Sequence, residues 1–283
     1  MIDFFYSLIP HILPFDCLQM KFMQRALIGL VLLAPMTAMM GVQVVNFRMA
    51  FYADAISHTA FTGVALGILL GVSPYWTMPV FGLIVGVGIV FVHRRSLLST
   101  DTVIGVIFSA VVAFGLAVVS RNPSIRTDML RFLYGDILTI SEHDIVALSA
   151  LFIVMLLFQF FGYNRLLYTG LNTVLAETHR VKVAFYQYVF AALLSLIVIF
   201  SVWWIGVLLV TGMLIIPAAA ARNFAGSAGS MFWWALIISI TSAVMGFLVS
   251  AQEWAQTATG ATIVLAAFLW FLVSALYRLI RRS

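Results

Sequence analysis

"VAFYQYVFAALLSLIVIFSVWWIGVLLVTGMLIIPAAAA", residues 183–221, runs from end to end without a charged side chain. A helix rises about 1.5 Å per residue and needs about 20 apolar residues to cross a hydrocarbon core of about 30 Å. The stretch is therefore long enough for two spans divided at "SVWWIG", or for one span followed by a broken helix. The rest of the chain has the same character: 64% of its 283 residues are hydrophobic, 9% are charged and the mean hydropathy is +1.12. Soluble domains carry about 25% charged residues.

Working outward, apolar runs recur at residues 25–45, 50–71, 75–92, 102–120, 143–161, 184–201, 205–221, 231–250 and 258–277. Backbone polar groups cannot stay unpaired in lipid, and the two-residue alternation of a barrel is absent, so these runs are expected to be helices. The expected fold class is all-α: a polytopic helical membrane protein of eight or nine spans, forming one transmembrane domain over residues 1–283. The opening residues, with Asp3, Pro10, Pro14 and Asp16, read as an interfacial segment over residues 1–22 and not as a cleaved signal peptide. A single cysteine, Cys17, excludes an intrachain disulfide framework and a multi-cysteine metal site.

The net charge of +5 is scattered among loops, which fits membrane topology and argues against nucleic acid. Arg48, Arg94, Arg95, Arg165, Arg180, Lys182, Arg222, Arg278, Arg281 and Arg282 fall on one side of the proposed spans; Lys21, Arg25, Arg121, Arg126 and Arg131 fall on the other. Basic residues favour the cytoplasmic side, so the N-terminus is expected outside and the C-terminus inside. Two polar connectors stand out. Residues 121–142, with "LRFLYGDILTIS", are expected to be partly embedded. In "GYNRLLYTGLNTVLAETHRVKV" a short amphipathic cytoplasmic helix is expected between Gly170 and Val183, capped by Asn172 or Thr173.

Asp54 and His58 stand four residues apart in "FYADAISHTAFTGVALG", residues 51–67, and so share one helical face. A carboxylate within a span costs about 2.5–3.5 kcal/mol even on the lenient insertion scale, so such residues normally face a polar path or a partner. Three readings follow from spacing: a shared metal contact, a proton relay, or a structural pair. Carboxylate oxygen with imidazole nitrogen suits zinc, manganese or iron, and two pairs from a symmetric dimer make four ligands. Gly63, Gly67 and Gly71 repeat every four residues, as a helix-packing stripe does. Pro217, in "GMLIIPAAAAR", should kink or end its helix. Ser141 followed by Glu142, His143 and Asp144 reads as an N-terminal cap more simply than as a metal cluster. The 13 methionines, scattered through the spans, read as packing. No phosphate-binding loop is present, because Lys21 and Lys182 follow Met20 and Val181 instead of glycine.

The segment at Asp54 resembles the Asp-x-x-x-His signature of permease subunits of bacterial zinc/manganese/iron-type metal-ion ABC importers, in which a stretch like "DALSHAALPGVALG" is usual. "FMQRALIGL", "TDTVIGVIFS", "LRFLYGDILTIS", "LNTVLAETHRVKV" and "GVLLVTGMLIIPAAAAR" carry the same resemblance in order along the chain. It implies a type II importer-like permease, working as a homodimer with two cytoplasmic ATP-binding subunits and an extracytoplasmic metal-binding protein. No cofactor is implied beyond the transported ion. Asp54 and His58 would be the pathway ligands. Thr173, Leu175, Ala176, Glu177, Arg180 and Val181 would lie in the helix that couples to the ATPase, with Gly63, Gly67 and Pro217 in packing or hinge roles. The sequence departs from the pattern at Arg180, where glycine is common, and at Phe61 and Thr62, where leucine and proline are frequent. The coupling turn and the course of the helix after His58 are thereby put in question. A proton-coupled secondary transporter is the rival reading, though inverted repeats are not evident; an intramembrane hydrolase would want a motif such as His-Glu-x-x-His, which is absent.

Overall fold

The structure, a computed structural model, describes residues 16–120, 140–252, 254, 255 and 257–282. After a 3-10 turn at Asp16–Gln19, its helices are α1 (Lys21–Asn46), α2 (Ala50–Leu70), α3 (Pro74–Arg95), α4 (Thr100–Ser120), α5 (Glu142–Leu171), α6 (Thr173–Thr178), α7 (Val183–Ile205), α8 (Val207–Phe224), α9 (Ala228–Ser250) and α10 (Thr259–Arg282). All but α6 are long and apolar enough to span a membrane, giving nine candidate spans among the described residues. The fold is an all-α membrane bundle.

The apolar run at 183–221 is two helices, separated by Gly206 alone. Its φ of 83° and ψ of 164° lie where only glycine is comfortable, and its N–H still closes α7 onto the Val202 carbonyl. The eight-span alternative ends there. Residues 121–139, which include most of the connector expected to be embedded, lie outside the described residues, as do residues 1–15 of the interfacial segment.

Lipid is as apolar as leucine, so helices in a membrane associate through close packing and hydrogen bonds and not through the hydrophobic effect. Two groups of helices result. α1 is the hub of the first, with 72% of its most apolar window buried, and it packs against α5, α8 and α9, while α10 covers α8 and α9. A methyl on Gly41 of α1 would lie 2.0 Å from the Leu214 carbonyl oxygen, so α1 and α8 touch backbone to backbone. Ser239 Oγ of α9 donates to the Ala34 carbonyl at 2.7 Å, and Gln159 Nε2 of α5 to the Met39 carbonyl at 3.1 Å. The second group is α2 with α3, α4 and α7. Methionines 36, 40, 78, 155 and 213 are buried between helices, in the packing role expected of them.

Ser141 and Asp144 form a reciprocal capping box at the start of α5, with Asp144 N–H donating to Ser141 Oγ at 3.3 Å and Ser141 N–H to the Asp144 carboxylate at 3.0 Å. Glu142 takes an ion pair from Arg25 at 2.5 Å. The far end of α5 extends to Leu171, ten residues past the boundary expected at 161. A 30-residue helix is about 45 Å long, so its last turns project beyond a hydrocarbon core of about 30 Å and can be polar without ceasing to be helix.

Replacing Gly206 with alanine puts a side chain on a glycine-only conformation and should cost about 1–3 kcal/mol. Thermal unfolding of the detergent-solubilised protein should show a lowered midpoint for Gly206→Ala; an unchanged midpoint would contradict this joint.

Candidate metal pathway on the second helix

Three hydroxyl groups fix the rotation of α2. Tyr52, fully buried, brings its Oη within 3.1 Å of the Ala191 carbonyl oxygen and 2.9 Å of Ser195 Oγ on α7. Thr62 Oγ1 donates to the Val111 carbonyl of α4 at 3.1 Å, and Thr77 Oγ1 of α3 donates to the Gly63 carbonyl at 2.9 Å. With neighbours holding it on these sides, the stripe Phe51, Asp54, His58 and Phe61 is turned toward the open side of the chain.

On that stripe Asp54 Oδ1 and His58 Nε2 are 3.9 Å apart, with 43% and 35% of their side chains exposed. The separation exceeds a hydrogen bond, so both atoms keep lone pairs for a third group. His58 also meets Phe108 of α4 edge-on, ring centroids 5.3 Å apart, which limits where the imidazole can swing. Since α2 begins at Ala50, His58 lies about 12 Å along the helix, near the middle of a hydrocarbon core of about 30 Å. No group of three or more His, Cys, Asp or Glu side chains comes together among the described residues. A single copy of the chain thus offers two donors here, and neither the Ser141–Asp144 segment nor any other described cluster offers more.

The glycine stripe divides. A Cβ on Gly63 would stand 2.9 Å from Met78 Cα, and one on Gly67 would stand 2.4 Å from Thr77 Oγ1, so both seat α3 on α2. Gly71 corrects the periodic reading: it has φ 66° with open space around it, and ends α2 as a left-handed cap. α2 is continuous past Phe61 and Thr62, and Thr62 is tied to α4. Pro217 does not end its helix, because α8 continues to Phe224 around a buried proline ring.

Asn172 caps α6, its Oδ1 accepting from the N–H groups of Val174 and Leu175 at 2.9 and 3.3 Å. The helix in this region is Thr173–Thr178, since Gly170 belongs to α5 and Val183 to α7. Thr173, Leu175, Glu177 and Arg180 are exposed, Val181 is half-buried, and Ala176 is fully buried against its neighbours. Arg180 takes φ 57°, so the turn after α6 keeps a left-handed residue despite the arginine. Sequence reasoning passed over Phe108 and Tyr52 and named Thr62 only as a departure from the family pattern, because hydroxyls and rings that position a site look like any other residues of an apolar span.

Residues 19–278 match the ABC 3 transport family. The chain is 33% identical over 249 residues to the high-affinity zinc uptake system membrane protein ZnuB of Haemophilus influenzae, covering 88% of this chain and 95% of that one. It is 32% identical over 254 residues to the manganese import system permease protein ScaB of Streptococcus gordonii, covering 89% and 90%. Among solved structures it is similar to PsaBC from Streptococcus pneumoniae in complex with Fab, with a TM-score of 0.77, 30% identity, and coverage of 97% of this chain and 95% of that one.

Gly63→Leu should separate α3 from α2 and prevent a monodisperse peak in size-exclusion chromatography. Gly88→Leu, where a Cβ meets nothing within 4 Å, should elute as the parent does. Equal behaviour of the two variants would contradict the seating of α3 on α2.

Proposed function

The chain belongs to the ABC 3 transport family, and on that premise we propose that it is the membrane permease of an ATP-driven importer carrying a divalent transition metal ion, manganese, zinc or iron, across the bacterial inner membrane. The observation that carries the reading is the outward-facing Asp54–His58 pair at mid-span. A carboxylate and an imidazole exposed on the face of a membrane helix are costly unless something polar covers them. A second copy of the chain presenting the same face would cover both and supply four donors in all, two oxygens and two nitrogens. Zinc, manganese and iron accept such a set, and the names of the zinc and manganese relatives support a cargo of this class.

In this reading an extracytoplasmic binding protein delivers the ion to the outer mouth of a permease homodimer. Asp54 and His58 take it at the dimer axis through carboxylate oxygen and imidazole nitrogen. The donors come from two subunits and not from one closed cage, which favours release when the subunits move. The exposed groups of α6, Thr173, Leu175 and Glu177, face a separate cytoplasmic ATP-binding subunit, Arg180 and Val181 form the turn that follows it, and buried Ala176 seats the helix on the bundle. With the N-terminus outside, α6 and the basic ends of α3 and α10 lie on the cytoplasmic side together.

Cells expressing the chain with its ATP-binding subunit should take up radiolabelled manganese or zinc, and Asp54→Ala or His58→Ala should cut the rate by at least the about 10–100-fold that loss of an outer-sphere partner costs a metal site. Undiminished uptake by well-expressed variants would remove the metal role, and uptake that needs no ATP-binding subunit would favour a proton-coupled carrier instead. Orientation has its own readout in a Cys17→Ser background. An impermeant thiol reagent added outside should label Ser73→Cys and spare Leu97→Cys; the reverse pattern would invert the topology.

A further inference from the structure

Where α5, α6 and α7 meet, a cavity of about 440 Å³ is lined by Arg165, His179, Arg180, Lys182, Phe185 and Tyr186, with Val181 at its wall. That is within the about 300–1,000 Å³ usual for small-ligand sites. Three of the lining groups are permanent cations and none is acidic. Among the described residues no carboxylate lies within ion-pair distance of Arg165, Arg180 or Lys182. Two of the lining side chains are held in place nonetheless. Arg165 donates to the Tyr186 hydroxyl and lies 5.5 Å from the centre of its ring, and His179 stacks on Tyr168 with centroids 5.6 Å apart. Arg180 carries its guanidinium from a left-handed backbone position, φ 57°, which a residue with a Cβ occupies at a cost in free energy.

The height of the cavity is set by α5. Arg165 lies about 35 Å along the helix from Glu142, beyond a hydrocarbon core of about 30 Å and inside the headgroup layer that brings a bilayer to about 40–45 Å. At the mouth Phe185 is 57% exposed, an apolar ring beside the cations. Guanidinium groups bind phosphate oxygens in pairs, lysine adds a point charge, and an aromatic ring at this level sits against the first methylenes of an acyl chain.

We infer that this cavity binds the phosphodiester headgroup of an anionic phospholipid, with Arg180 and Lys182 reaching the phosphate from the α6–α7 turn and Arg165 from α5. The headgroup ties the turn after α6 to the end of α5, two segments that otherwise bring positive charges together. The assignment goes beyond the transport reading and does not depend on which ion is carried. The chemistry recognised is a phosphate anion, and the lipid is favoured as its source by the headgroup-level position and by Phe185.

The test is native mass spectrometry of the purified full-length protein, delipidated and then offered phosphatidylglycerol or phosphatidylcholine of the same acyl chains. Phosphatidylglycerol should be retained in preference. Arg180→Gly, which suits the left-handed backbone, should weaken its retention about fivefold, and Arg180→Gly with Lys182→Gln about 30-fold, while Lys21→Gln at the opposite end of the bundle leaves it unchanged. Thermal unfolding should show Arg180→Gly at least as stable as the parent, and that variant alone carries the test if the double variant is unstable. Equal retention of the two lipids, or equal loss in Lys21→Gln, would overturn the site. Displacement of the lipid by millimolar inorganic phosphate would overturn the lipid as its source. Variants that keep the lipid but no longer co-purify with the ATP-binding subunit would show a protein contact instead.

Discussion

The rotation of α2 about its own axis is the constraint on which the site depends. Each residue turns a helix by about 100°, so a slip of one residue would carry Asp54 and His58 from the open side into the apolar packing against α3, α4 or α7. Surface hydrophobicity alone cannot set the rotation, because apart from the Asp54–His58 stripe the faces of the helix are all apolar enough for lipid. Specific polar contacts set it: Tyr52 to α7, Thr62 to α4, and the Gly63 carbonyl to Thr77 of α3. A hydrogen bond in a folded protein adds only about 0.5–1.5 kcal/mol net, but an orphaned buried hydroxyl or carbonyl costs about 1–3 kcal/mol, and a rotated α2 would orphan several at once. Orientation is thus enforced by the penalty for breaking contacts more than by the gain in making them.

Much of this architecture was legible in the sequence, and the failures share causes. Membrane spans are written in composition, because about 20 apolar residues have few other uses, and the expected spans match the nine candidate spans among the described residues. Local chemistry was legible as well: Ser141 with Asp144 and Asn172 with the two N–H groups that follow are contacts within four residues. The boundary of α5 was not, since a helix that leaves the hydrocarbon loses its apolar signature without losing its hydrogen bonds. Gly71 fitted a period of four but serves the end of its helix, which periodicity cannot distinguish from packing.

The partial legibility of the candidate site has a different origin. The spacing of Asp54 and His58 placed them on one face, and the structure leaves them 3.9 Å apart on an open side. In the proposed homodimer a second copy covers that side, and a contact between copies leaves no mark in the spacing along one chain. The cationic cavity was hidden for a related reason. Arg165 and Arg180 come together only because the chain leaves α5, turns through α6 and returns in α7, and a charge count along the sequence sees them as scattered topology signals.

Gly206 sits at one of the places where the two groups of helices are joined, as residues 47–49 do between α1 and α2. α7 belongs with α2 and α3, whereas α8 belongs with α1, α9 and α10, and one residue is the whole covalent link from α7 to α8. Successive Cα atoms across a trans peptide are about 3.8 Å apart, so a link this short has no slack to take up. In mechanical language it is a pin and not a spring: the adjoining ends of α7 and α8 can turn about it, but they cannot be drawn apart.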